Sequence, residues 1–329
     1  MRKFFLAGGV RGSVAIMALW ALVILAFLAI SLGQGVRQSM MTAGHLRARE
    51  ELRLAGEAAV KKTISDIQGS SRSAGNTISG NEWYSGILGH TLSFSLRNAT
   101  AHFVIEDENS KINLNTANAY LLANLFESVG RAGTEEAERL ADAVMDFRDT
   151  DDHVSGEGRD GGSEKGVYRQ AGLLVVPKNA DFEFIEELRL VKGMTKEIYS
   201  FIENYITIYG DGRVNINTSS KEKLCALGIV PSLADKLIEI RHGEGPKGPE
   251  EDVTVFKDIS KISETVSSRY LLSPVEQESL DHALTQGEFC VSSGIFKITG
   301  RTKISGADLS GRFECVYVTG VGICYWVQT

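Results

Sequence analysis

Six carboxylates crowd the stretch from Asp149 to Glu164: Asp149, Asp151, Asp152, Glu157, Asp160 and Glu164, spaced by Gly156, Gly158, Gly161 and Gly162. Carboxylates on a pliable loop suit a hard cation such as Ca²⁺, which takes six to eight oxygen ligands in loose geometry. The spacing is not that of an EF-hand. Counted from Asp149, the sixth position is Val154 where that loop needs Gly, and Asp160 stands where its closing Glu belongs. On the residues alone, a cation site and a solvated acidic loop both remain open. Other chemistry is not in evidence. The chain has no HExxH, GxSxG, P-loop or CxxC pattern, and its six His are scattered. An enzyme is not expected.

What must position this loop is a run of helices. "KINLNTANAYLLANLF" (111–126) returns as "RVNINTSSKEKLCALGIV" (213–230), and self-similarity of this kind marks a reused unit. Three pairs of helices are expected: "LLANLF" with "AERLADAVMDFR", "IEELRLV" with "KEIYSFIENY", and "KEKLCAL" with "SLADKLIEIR". Such helix-hairpin-helix units often grip nucleic acid through glycine turns whose N–H groups approach a phosphate. Here the turns read "VGRAGT", "KGMT" and "LGIV", and the last two lack the second glycine. The charge argues the same way. Lys and Arg number 35 against 42 Asp and Glu, net −7, whereas non-specific affinity for DNA comes from clustered cations. Packing and protein contact are the expected use, with no nucleic acid. A membrane-anchored helix-hairpin-helix DNA receptor, as in competence systems, is the alternative.

The N-terminus says where the chain lives. Between Arg11 and Arg37 there is no charge, and Ser13 to Leu32 is long enough to cross a bilayer core of roughly 30 Å as a helix. The run exceeds the 7–15 apolar residues of a secretory signal. Arg2, Lys3 and Arg11 precede it, so the positive-inside rule keeps the short leader in the cytoplasm and exports the rest. From Val36 to Ile67, apolar residues at Val36, Met40, Ala43, Leu52, Ala55, Ala59, Ile64 and Ile67 continue at helical spacing until "QGSSRSAGNTISGN" (68–81) breaks them. "TAHFVIED" (100–107) has strand composition. "GIFKITGRTKI", "GRFECVYVT" and "GICYWVQ" read as three strands of an antiparallel meander. Cys315 and Cys324 would lie on adjacent strands there and could pair in an exported domain, whereas Cys225 reads as a buried thiol.

A basic leader ending in Gly12 directly before the apolar helix resembles the start of a type IV pilin or pseudopilin. The order "INLNTA", "FRDTDD", Gly-x-Glu ahead of a Tyr, "ELRLVKGMT" and a second "NINT" resembles the K-type minor pseudopilin of bacterial type II secretion, the GspK family, most densely between Ile112 and Leu227. The resemblance implies an α+β fold: a long N-terminal transmembrane and amphipathic helix, and a small antiparallel pilin-like sheet interrupted by a large helical insertion. The expected divisions are a leader 1–12, a helix 13–67 spanning the membrane at 13–35, a linker and first sheet part 68–114, an insertion 115–284 and closing strands 285–329.

It also implies cleavage by a prepilin peptidase after Gly12, methylation of Ser13, and calcium held by Asp149, Asp151, Asp152 and Glu164, with Asp160 a further candidate. Implied partners are the I-type and J-type minor pseudopilins, the secretion platform, and secreted substrate or the outer-membrane channel. Implied placement is the bacterial inner membrane, single-pass, with the bulk in the periplasm. Most pilins carry a Glu where Met17 stands. A carboxylate at that depth needs a neighbour's amine, so Met17 fits a subunit with no neighbour above it.

Overall fold

The computed structural model describes residues 10–74, 87–154, 163–170, 172, 176–242, 255–306 and 308–329. Helix α1 (Val10–Ala74) runs unbroken for about 100 Å. Its two halves behave differently. Residues 14–47 are exposed throughout, whereas Leu52, Ala55, Ala59, Val60, Thr63 and Ile67 are buried at the three-to-four-residue spacing of one helix face. The expected apolar stripe is therefore buried only from Leu52 onward, and Val36 and Met40 stay in the open. The helix also passes Ile67, its expected end. Gln68 donates to the Tyr317 hydroxyl at 3.2 Å, which ties that extra turn to the sheet.

The buried face of α1 lies on a five-stranded antiparallel sheet of order β1-β2-β7-β8-β9. Its strands are β1 (Thr91–Leu96), β2 (Ala99–Asp107), β7 (Ile295–Ile304), β8 (Ser310–Val318) and β9 (Gly322–Gln328). Alternation puts Phe103, Ile105, Phe296, Ile298, Phe313, Cys315 and Tyr317 against Ala59, Val60 and Ile67 as one core. Gly56 lets the helix close in, because a Cβ there would stand 2.9 Å from Gln328 Nε2 and 3.2 Å from the Phe313 ring. The meander is found as expected, and β1 is an additional strand. Cys315 sits in this core opposite Trp326, while Cys324 falls in the β8–β9 bulge and is exposed. The expected bridge is not formed, and both are free thiols.

β2 and β7 are direct neighbours, with Asp107 paired to Phe296, yet the whole helical region lies between them in sequence. The insertion is drawn into two lobes by two-residue parallel pairings. β3 (Ile112–Asn113) pairs with β4 (Ile206–Thr207), and β5 (Val214–Asn215) with β6 (Phe289–Cys290). The first lobe holds α2 (Ala119–Ser128), α3 (Thr134–Arg148), α4 (Glu164–Gln170) and α5 (Lys196–Ile202). The second holds α6 (Lys221–Ala226), α7 (Pro231–His242), α8 (Ile262–Arg269) and α9 (Pro274–Thr285). The three expected hairpins are present, with the first arm of the middle one a 3₁₀ helix (Ile185–Leu190). One apolar core, including Leu122, Phe126, Phe147, Leu224, Leu237 and Leu280, runs through both lobes.

The repeated Asn-x-Asn-Thr performs the same task twice. Asn113 and Asn215 accept the N–H of the residue two places on, at 2.8 and 3.0 Å, and so turn the chain. Asn115 accepts the Phe182 N–H at 2.8 Å and donates to its carbonyl at 3.0 Å; Asn217 does both for Phe256 at 2.9 Å. Arg148 at the end of α3 donates to the carbonyls of Leu114 and Ala117, and Arg241 in α7 to those of Ile216 and Ser219. The hairpin-terminal Arg is thus consumed by backbone carbonyls within the fold. Because Asn217 is buried and also donates to Val291, Asn217→Ala is expected to cost about 2–4 kcal/mol of unfolding free energy in denaturant titration. An alanine substitution at the exposed Ser267 would cost under about 0.5 kcal/mol.

Candidate functional site: the carboxylate loop and the root of the insertion

Asp149 caps α3, and the loop after it is closed by an antiparallel bridge between His153 and Ser163. Asp151 accepts the His153 N–H at 2.8 Å, and Asp152 accepts the Ser163 hydroxyl at 2.8 Å. The Asp152 carboxyl is held below its usual range chiefly by that Ser163 bond. Asp149 is the opposite case. One of its oxygens is buried without a hydrogen-bond partner, and its carboxyl is pushed up by burial and by the charges of Asp151 and Asp146. An orphaned carboxylate oxygen among like charges is a place a cation would relieve.

Glu164 opens α4, directly after the Ser163 bridge. Asp160, Glu157 and the loop glycines fall outside the described residues. Among the described residues no three His, Cys, Asp or Glu side chains converge on one point. Asp149 keeps an oxygen open to a cation, whereas Asp151 is engaged by His153 and Asp152 by Ser163 and Lys165. Gly12 and Ser13 lie in the first turn of α1.

Sequence reading missed the root of the insertion. Asp107, Glu108, Lys111 and Lys223 are all buried where β2 ends. Lys111 reaches Glu108 at 2.6 Å and Glu106 at 3.0 Å; Thr207 donates to Glu108 at 2.5 Å. Asn215 donates to Asp107 at 3.0 Å, joined there by Thr218 and Ser293. Residues from β2, β4, β5 and the strand approaching β7 therefore meet in one polar knot. The signal was the charge run "IEDENSK" inside an otherwise apolar stretch.

The architecture is that of a pilin-like subunit, with an N-terminal helix laid on an antiparallel sheet and a helical insertion interrupting that sheet. Residues 94–211 match the family model described as "Type II secretion system (T2SS), protein K". A chain in the crystal structure of the GspK-GspI-GspJ complex from the enterotoxigenic Escherichia coli Type 2 Secretion System is similar in fold. Its TM-score is 0.55 at 16% identity, covering 84% of this chain and 99% of that one. No curated protein gives a significant sequence match. The family model that residues 94–211 match is the K-type one that the chain's motifs resemble, and the fold agrees with it. That family is structural rather than catalytic, and nothing found supports the DNA-receptor alternative.

The knot makes a pH prediction. Burial, then the neighbouring Lys111 charge, holds the Lys223 ammonium down to about 8 from its ordinary 10.5. A lysine whose folded value is depressed costs stability while protonated. The cost fades as pH rises from about 8 to 10.5. Wild-type stability, measured against Lys223→Met, is therefore expected to gain about 3 kcal/mol across that window.

Proposed function

We propose that this chain is a non-enzymatic subunit at the tip of the periplasmic type II secretion fibre, inserted in the inner membrane by residues 13–35 and assembled with I-type and J-type minor pseudopilins to start or cap the fibre and support export. The observation that carries the reading is the divided helix α1. Mean hydropathy reaches 2.7 in its apolar window, and its exposed apolar positions extend past the span through Val36, Met40, Met41 and Leu46. Such a surface needs lipid below and neighbouring helices above. Met17, where relatives carry Glu, fits a subunit with none above it. The insertion supplies bulk at the end of the sheet farthest from the span. Processing after Gly12 by the prepilin peptidase and methylation of Ser13 belong to the same reading.

Full-length protein in detergent, mixed with I-type and J-type pseudopilins, is expected to give a 1:1:1 complex by native mass spectrometry. The pair Met40→Glu and Leu46→Glu should weaken it at least tenfold while leaving the melting temperature within about 2 °C. A short DNA duplex retained in place of the pseudopilins would sink the reading.

Calcium belongs to the proposal as well, on Asp149 and Asp151 with Asp152, Asp160 and Glu164 available from the same loop. The ion would neutralise the carboxylates and fix the loop against α3. Millimolar Ca²⁺ is expected to raise the melting temperature, and Asp149→Asn with Asp151→Asn to abolish that rise. An equal rise in the double variant would remove the metal from this loop.

A further inference from the structure

The face of the sheet turned away from α1 carries two arginines in register, with His102 beside them. In register across three strands, His102 on β2 stands opposite Arg301 on β7, and Arg301 opposite Arg312 on β8. All three are exposed, as is Lys303 two places along β7. Neither Arg301 nor Arg312 enters an ion pair among the described residues. The neighbouring Glu314 is spent on Lys297 at 2.9 Å. Like charges directly opposite on adjacent strands destabilise a sheet, so the row works against the fold's own stability.

It also borders a concavity. A cleft of about 580 Å³ opens on this face, lined by His102, Arg301 and Arg312 together with Thr91, Thr299 and the Lys297-paired Glu314. Guanidinium pairs beside hydroxyl donors are suited to carboxylates, which they hold in bidentate fashion.

Position decides what brings the carboxylates. Gly311, next to Arg312, lies against Leu52 of α1. The helix rises about 25 Å between Gly35 and Leu52, more than twice the roughly 8–10 Å over which charges are felt at physiological salt. Lipid headgroups are out of reach. The acidic excess of this chain resides in its own insertion, on the far side of the knot.

We propose that the cleft edged by His102, Arg301 and Arg312 is a docking site for an acidic polypeptide segment of another protein. The site is independent of the calcium loop and of the apolar helix. In the test, full-length protein in phosphatidylcholine nanodiscs is titrated with fluorescein-labelled hexaglutamate. Wild type is expected to bind it, and hexaglutamine not. Arg301→Gln with Arg312→Gln should weaken binding at least tenfold without lowering the melting temperature, while the exposed Lys261→Gln leaves it unchanged. Equal binding by the double variant overturns the proposal. So does displacement of the peptide by a tenfold excess of inorganic phosphate, which would mark a small-anion site. Binding seen only in phosphatidylglycerol nanodiscs, through the membrane, overturns it too.

Discussion

The pairing of Asp107 with Phe296 is the constraint from which the rest of the molecule follows. Two neighbouring strands of one sheet are separated in sequence by the whole helical insertion, so the chain must leave the sheet and return at a single point. Closing so long a loop costs conformational entropy that grows only slowly with length, but it demands that both ends be held. The buried knot of Asp107, Glu108, Lys111, Asn215 and Ser293 does the holding, and it places charges where water cannot reach them. Such charges are tolerable only when each is paired or hydrogen-bonded, which explains why side chains from β2, β4 and β5 converge there.

Above the knot the insertion repeats one local solution. Asn113 and Asn215 turn the chain, Asn115 and Asn217 mimic a strand neighbour for Phe182 and Phe256, and Arg148 and Arg241 satisfy the carbonyls the turn leaves open. The hairpins then bury one another's faces in a single core. A motif suggestive of phosphate binding is accounted for by the backbone hydrogen bonds of its own lobe.

Much of this was legible from residue order. The apolar run before Arg37, the alternation in "GRFECVYVT" and the doubled Asn-x-Asn-Thr announce the anchor, the meander and the repeat, because each is a local pattern with a local cause. What was not legible depends on long-range placement. β1 is short and gains its identity from pairing with β2. Helical spacing at Val36 and Met40 looks like that at Leu52 and Ala55, yet only the latter meet the sheet. Cys315 and Cys324 sit on adjacent strands, but the β8–β9 bulge throws Cys324 out of register with Cys315. The carboxylate loop was visible as composition, while the division of labour between Asp149 and Asp152 comes from Ser163 and Lys165, which spacing alone does not assign.

Because the insertion departs and returns through adjacent strands, it lies off the mechanical path of the molecule. A pull or push along α1 passes into the sheet by sliding the face from Leu52 to Ile67 over β2, β7 and β8, and it crosses neither lobe. The carboxylate loop and the hairpins are therefore shielded from axial force. What bears the load is the close approach of Gly56 to the Phe313 ring, with Ala59 packed in the same core.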